Sequence, residues 1–94
     1  MRIWKYPFLI DDVFTLQMPR DAQVIHVAEQ HGVPCLWAFV DSTNQTVARE
    51  FAVVGTGNPA PPPWEARHVG SFLTGDGVGV WHVFERTNRS QESS

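Results

Sequence analysis

A single glycine-rich loop carries the residue types best suited to ligand binding in this chain. Gly55-Thr56-Gly57-Asn58 follows a run of β-branched residues, and the backbone N–H groups of such a turn can form a concave site for an anion. Trp64, Arg67 and His68 follow shortly afterwards, and an aromatic face, a guanidinium and an imidazole suit a stacked base and its phosphate. The simpler interpretation, which the loop itself favours, is a strand-ending turn whose glycines permit positive φ angles.

The four histidines lack the spacing of a metal-binding motif. His26, His31, His68 and His82 include no pair with zinc-knuckle or H-E-x-x-H spacing, so no metal and no cofactor is expected. His82 is distinctive because it neighbours Trp81 in an apolar run, and adjacent side chains of a strand point to opposite faces. The candidate ligand-binding residues are therefore Gly55, Thr56, Gly57, Asn58, Trp64, Arg67, His68 and His82.

No catalytic signature accompanies these residues. The serines lack the G-x-S-x-G elbow of hydrolases. Asp11-Asp12 are neighbours in a turn, and Glu50 and Glu85 are expected at solvent-facing positions of strands. Cys35 lies in an apolar run, which favours a buried thiol over a reactive nucleophile. The sequence therefore predicts a protein that is not an enzyme.

Composition excludes several further classes of protein. The chain has 94 residues, of which 43% are hydrophobic and 18% charged, and its formal net charge is −3. It is too apolar for a disordered chain, and its negative charge argues against nucleic-acid binding through phosphate neutralisation. No apolar run approaches the ~20 residues of a membrane helix, and the N-terminus lacks the apolar core of a signal peptide. We therefore expect a cytoplasmic protein with no membrane partner.

Short strands must position the candidate site, because Pro and Gly recur too often for long helices. The residue pattern predicts strands at 2–8, 13–18, 23–29, 33–40, 47–54, 67–73 and 78–86. Seven short strands in a single domain, residues 1–86, favour an all-β antiparallel sandwich or small barrel. The alternative is an α+β fold with one short helix near 19–23 or 62–67. Residues 87–94 are expected to form a flexible tail.

Two of these strands are apolar on both faces, which is typical of central strands covered on both sides. They are 33–40 and 78–84, so Trp37 and Val83 are expected to be buried. Residues 59–66 contain four prolines, which remove backbone donors, so this segment is expected to be an extended, polyproline-like connection that crosses the surface.

Several short motifs follow one another in a characteristic order over residues 2–85. They are Ile3-Trp4-Lys5-Tyr6, Gly32-Val33-Pro34-Cys35-Leu36-Trp37-Ala38, Val40-Asp41, Val54-Gly55-Thr56-Gly57-Asn58-Pro59, Val69-Gly70 and Val80-Trp81-His82-Val83-Phe84-Glu85. This order resembles a widespread family of small uncharacterised proteins encoded by tailed bacteriophages. The resemblance implies an accessory protein that acts in the cytoplasm of an infected bacterium, and it brings no known chemistry.

Two hypotheses of function follow, because small phage accessory proteins without catalytic motifs usually act by binding. In the first, the protein sequesters a small nucleotide-derived immune signal of the host, in pockets formed between the protomers of a homo-oligomer. In the second, it binds a host defence or metabolic protein and blocks it, using a buried aromatic anchor. The composition of the loop after the fifth strand favours sequestration, so that is the leading hypothesis.

Overall fold

Two antiparallel sheets packed face to face make up the computed structural model, which describes residues 1–87. One sheet has the strand order β1-β4-β3 and the other β2-β5-β7-β6. The strands are β1 (Arg2–Pro7), β2 (Val13–Pro19), β3 (Gln23–Gln30), β4 (Val33–Val40), β5 (Thr46–Gly55), β6 (Ala66–Leu73) and β7 (Val80–Arg86). The predicted β-sandwich is confirmed, and the helical alternative is wrong for the described residues.

The two segments considered for a helix form turns instead. Asp21 has a positive φ of 67°, which interrupts any helix at 19–23. The N–H groups of Glu65 and Ala66 both donate to the carbonyl of Pro62, at 2.9 and 3.3 Å. The chain leaves this turn directly into β6 at Ala66.

The hairpin between β3 and β4 has the tightest connection in the fold. Gln30 pairs with Val33, so only His31 and Gly32 lie between the strands. Both have positive φ angles, of 52° and 80°, as a two-residue type I′ turn requires.

The C-terminal boundary of the fold lies beyond β7. The N–H of Thr87 donates to the carbonyl of Glu65 at 2.8 Å, so the chain is held at least to this residue. The rest of the expected tail, 88–94, lies outside the described residues.

Central strands in this two-layer fold have only one covered face. Val83 in β7 is fully buried, as predicted, and so are Leu36 and Val40 on the inner face of β4. Trp37 belongs to the outer face of β4, where its ring is 5.4 Å from that of His26, and it is only partly buried. The prediction that Trp37 is buried is therefore wrong. Apolar residues on both sides of a strand indicate a central position, but they do not create a third layer.

An ion pair lies between the sheets among apolar side chains. Arg49 Nε and Nη2 donate to Glu85 Oε2 and Oε1 at 2.5 and 2.7 Å, and both side chains are almost buried, at 13% and 11% exposed. Arg49 Nη1 donates to the carbonyl of Ala22, in the connection between β2 and β3. The guanidinium of Arg67 approaches the same carboxylate from the rim at 3.4 Å. Charges in this setting are tolerated because each has a partner with good geometry.

The expectation that Glu85 faces solvent is wrong, whereas Glu50 is partly exposed and pairs with Arg86 at 2.9 Å. Glu85 and Phe51 are paired across β7 and β5, so the carboxylate shares the inner face. The sequence held a signal for this pair: Arg49 alternates in β5 with Phe51 and two valines of the same face, and an inward arginine requires an inward carboxylate.

Tyr6 is also directed into the sandwich. Its hydroxyl is buried and has no hydrogen-bond partner among the described residues. Burial raises the pKa of Tyr6 above its ordinary value, and the positive charge of Arg49 opposes the shift. The tyrosine is therefore retained as a neutral group beside the ion pair.

We predict that Glu85→Gln lowers the free energy of unfolding by about 3–5 kcal/mol, because it leaves the Arg49 guanidinium in the core without a counter-charge. Denaturant unfolding of the two proteins measures the difference. The matched control is Arg86→Gln, which breaks the Arg86–Glu50 pair, whose side chains are 42% and 44% exposed, and should cost about 0–1 kcal/mol. Equal losses in the two variants would contradict the assignment.

Candidate functional site

The eight predicted site residues divide between the two ends of the four-stranded sheet. Gly55 pairs with Trp81 at one end of β7, and Arg67 pairs with Glu85 towards the other. Both neighbours of β7 are antiparallel to it, so the connection between β5 and β6 has to run the length of β7. Residues that are close in sequence are thereby placed at opposite ends.

Two of the four backbone N–H groups in the turn at 55–58 already have partners within the fold. The N–H of Thr56 donates to Val80 O at 3.2 Å, and that of Asn58 donates to Gly55 O at 3.1 Å. Gly57 has a φ of 91°, which glycine adopts without strain. Two of the amides that would bind an anion are thus engaged, which favours the interpretation as a strand-ending turn.

Trp64 and Arg67 do not join this turn. Trp64 is 74% exposed, in the bend just before β6, and Arg67 directs its guanidinium to Glu85. The combination of stacking face, cation and anion-binding turn expected from the sequence is therefore not assembled.

The remaining predicted residues do meet, on the outer face of the four-stranded sheet. His82 lies between two hydroxyls: Thr56 Oγ1 is 2.8 Å from Nε2, and Ser71 Oγ is 2.8 Å from Nδ1. Ser71 Oγ is also 2.9 Å from Nε2 of His68. We call these four side chains the hydroxyl–imidazole row. It unites Thr56, His68 and His82 of the predicted site with Ser71, which the sequence analysis did not include.

Two local irregularities hid Ser71. The last hairpin pairs Leu73 with Val80, two positions later than the predicted end of its loop, and this register sets Ser71 opposite His82. His68 and Ser71 are three residues apart, which would place them on opposite faces of a regular strand. A bulge between His68 and Gly70 restores them to the same face.

A consistent direction for the hydrogen bonds in the row is assigned from one end, where a backbone carbonyl accepts from the Thr56 hydroxyl. Thr56 Oγ1 donates to Val80 O at 3.4 Å, so it accepts a hydrogen bond from His82 Nε2–H. Nδ1 of His82 is then the acceptor for the Ser71 hydroxyl. Ser71 Oγ in turn accepts from Nε2–H of His68.

A cleft opens at the end of the sandwich beside Thr56. It has a volume of about 450 Å³ and is lined by Gly55, Thr56, Asn58, Val78, Gly79, Val80 and Trp81. A Cβ atom at Gly55 would lie 3.2 Å from Cζ3 of the Trp81 ring, and one at Gly79 would lie 2.9 Å from its Nε1. The two glycines therefore leave room for the indole. The buried Nε1–H has no partner among the described residues.

The same end of the sandwich exposes a concentration of aliphatic side chains. It is formed by the connection 8–12, the turn 31–32, the turn 55–58 and the loop 74–79, together with the strand residues beside them. We call it the aliphatic end, after its exposed side chains Leu9, Ile10, Val13, Val33, Leu73 and Val78. Leu9 and Val78 are each 82% exposed. The connections 20–22 and 41–45 at the opposite end contain one aliphatic residue, Ala22, which is buried. The other exposed large apolar side chains lie at the N-terminus, on β1, β3 and β4, or in the bend before β6: Met1, Ile3, Trp4, Ile25, Phe39 and Trp64.

Two further kinds of site are absent from residues 1–87. That range contains no group of three or more His, Cys, Asp or Glu side chains able to hold a metal ion. It also contains no helix long and apolar enough to cross a membrane. Cys35 is buried, as its sequence context predicts.

We predict that His82 and His68, when neutral, both carry their proton on Nε2, because Thr56 donates to a carbonyl and orders the row. Long-range ¹H–¹⁵N NMR spectra of the imidazoles distinguish the tautomers. Thr56→Val should release this preference at His82, whereas Thr74→Val, in the neighbouring hairpin, should leave it unchanged. An Nδ1–H tautomer at His82 in the wild type would contradict the proposed direction.

Comparison with known proteins identifies a family for this chain. A family model described as "Domain of unknown function (DUF7352)" matches residues 1–94. No curated protein and no solved structure matches the chain. Since the matched range is the entire sequence, the protein belongs to the DUF7352 family.

Proposed function

We propose that this protein acts by binding another protein, without catalysis, and that the aliphatic end is its binding surface. The observation that carries the proposal is the concentration of exposed aliphatic side chains at one end of the sandwich. Single apolar residues on a surface are ordinary, but a group of them on neighbouring connections is typical of an interaction site. Loops held on a rigid sheet scaffold are a common place for such sites.

The connection between β1 and β2 is held in place for this role. Phe8 is buried and stacks on Phe14 with ring centroids 4.5 Å apart. The N–H of Phe8 donates to Pro34 O at 2.9 Å, and Asp12 O accepts from Val53 N–H at 3.2 Å. Both ends of the connection are therefore anchored, and Leu9 and Ile10 between them project outward. A surface ordered before binding loses less conformational entropy when it docks.

The loop at 74–79 is fixed by its own side chains. The carboxylate of Asp76 accepts hydrogen bonds from Thr74 Oγ1 at 2.6 Å and from Val78 N–H at 2.9 Å. These bonds lower the pKa of Asp76. Gly79 N–H donates to Thr74 Oγ1 at 3.0 Å. Val78 is thus presented to solvent from a defined loop.

The resemblance to small proteins of tailed phages suggests the setting. In that setting the protein is an accessory factor in the cytoplasm of an infected bacterium, and its partner is a host defence or metabolic protein that it blocks. A binding role of this kind requires an exposed docking surface and no catalytic residues, and the aliphatic end supports it.

We predict that the double variant Leu9→Ser/Val78→Ser binds the partner at least 100-fold more weakly than the wild type, because apolar anchors at the centre of an interface carry most of its binding energy. The partner is captured on the immobilised wild-type protein, identified, purified and titrated by calorimetry. Both residues are exposed, so the free energy of unfolding should be unchanged.

The matched control is Trp64→Ser, which removes an exposed apolar side chain at the opposite end and should bind normally. Loss of binding in Trp64→Ser, with normal binding in the double variant, would overturn the proposal and favour the opposite end. Full binding in both variants would also overturn it.

A second function, sequestration of a small nucleotide-derived ligand, is favoured by the cleft at Trp81. The indole with an unpartnered buried N–H suits a planar ring with a hydrogen-bond acceptor. Thr56 belongs both to this cleft and to the hydroxyl–imidazole row, whose side chains could contact a phosphate. We rank this function second because no Lys or Arg of residues 1–87 lines the cleft.

We predict for this second function that the wild type releases heat with a member of a panel of cyclic and ADP-ribose-type nucleotides. His82→Ala should weaken that binding by about tenfold or more, since a hydrogen bond to a charged group contributes about 1.5–3 kcal/mol. Arg67→Gln is the control and should bind normally, because Arg67 faces Glu85. Sedimentation with and without the nucleotide tests the expected homo-oligomer. No heat with any nucleotide would reject sequestration.

A further inference from the structure

The side-chain charges of this protein are distributed unevenly between its two ends. Four carboxylates belong to the aliphatic end: Asp11 and Asp12 in the connection 8–12, Glu29 near the end of β3, and Asp76 in the loop 74–79. Lys5 is the one Lys or Arg of the described residues that reaches this end, through a 2.8 Å hydrogen bond from Nζ to Gln30 Oε1. The aliphatic side chains therefore have an acidic rim.

The arginines of the described residues lie in the opposite half. Arg49 and Arg67 share Glu85, and Arg86 pairs with Glu50. The remaining charged residues of that half are Arg2, Arg20, Asp21, Asp41 and Glu65. Five arginines and five carboxylates balance there. Within residues 1–87 the four carboxylates and Lys5 of the aliphatic end therefore carry the excess negative charge, a formal −3.

We infer that the partner of the aliphatic end presents an apolar surface rimmed by Lys and Arg side chains. This inference rests on the proposed function and names the chemistry of its partner. In such a complex the aliphatic side chains supply affinity by leaving water. The acidic rim accelerates encounter with a cationic surface and disfavours acidic ones.

The same charge distribution argues against two other occupants. A second copy docked end to end would bring two acidic rims together, and like charges across an interface are unfavourable. An anionic lipid surface attracts Lys and Arg and repels carboxylates. A protein with a basic rim is the occupant that fits both the apolar and the charged part of this surface.

Two amphipathic helical peptides of equal length and identical leucine positions test the inference, one with lysines and one with glutamates at every polar position. Binding is measured by fluorescence anisotropy at ionic strengths of about 0.01 M and 0.15 M, where the Debye length falls from ~30 Å to ~8 Å. NMR shifts locate the site. The lysine peptide should bind at the aliphatic end at least tenfold more tightly than the glutamate peptide. Its affinity should fall about tenfold at the higher ionic strength.

Charge variants separate the acidic rim from the aliphatic centre. Asp11→Asn/Asp12→Asn/Asp76→Asn should remove most of the salt dependence and of the preference for the lysine peptide. Asp41→Asn is the matched control, because Asp41 also accepts from a threonine hydroxyl and a backbone N–H, those of Thr43 at 2.6 and 3.0 Å, but at the opposite end. It should behave as the wild type.

The outcomes distinguish this inference from the function on which it rests. Equal binding of the two peptides, absence of binding at the aliphatic end, or an end-to-end dimer in sedimentation would each overturn the basic-rimmed partner. The proposed function would survive the first of these results if Leu9→Ser/Val78→Ser still abolished binding of the captured protein. Retention of that protein by the double variant would overturn the function itself.

Discussion

The buried pair of Arg49 and Glu85 joins two neighbouring strands of one sheet to the connection between the two sheets. It links β5 to β7 side by side, and through Ala22 O it reaches the connection that carries the chain from one sheet to the other. The Arg49 guanidinium requires a carboxylate partner, since an unpaired charge between two apolar sheets would be very unfavourable. The register of β7 against β5 is therefore fixed by a carboxylate that must meet an arginine, as well as by the apolar side chains around it.

This pair also shapes the surface. Arg67 is drawn to the same carboxylate, and Arg86 is occupied by Glu50. These arginines, which could otherwise bind an anionic ligand, are thus paired with carboxylates in one half of the molecule. The other half retains its carboxylates almost without counter-charges, and the exposed aliphatic side chains lie among them. The same ion pairs therefore stabilise the fold and determine how charge is distributed over the surface.

Small residues decide what the aliphatic end contains. Gly55 and Gly79 leave space for the Trp81 ring. Between the two sheets, Gly70 of β6 permits a close approach to β3, because a Cβ there would lie 2.5 Å from Cγ2 of Val27. Gly55 and Gly79 therefore leave an aromatic side chain accessible from the cleft at this end.

The sequence alone determined the strands, because alternation, prolines and glycines act locally. Val33–Val40 matches its predicted bounds, and the central positions of β4 and β7 follow from apolar residues on both of their faces. It also placed Thr56, His68 and His82 among the candidate ligand-binding residues. It did not determine which side chains meet. Which sheet covers which face decides that Trp37 points outward and Glu85 inward. The length of the connection between β5 and β6 separates Trp64 and Arg67 from the turn at 55–58. Ser71 joined the row only through a bulge and a two-residue change in hairpin register. Such features are set by packing between segments distant in sequence, so only the tertiary structure decided them.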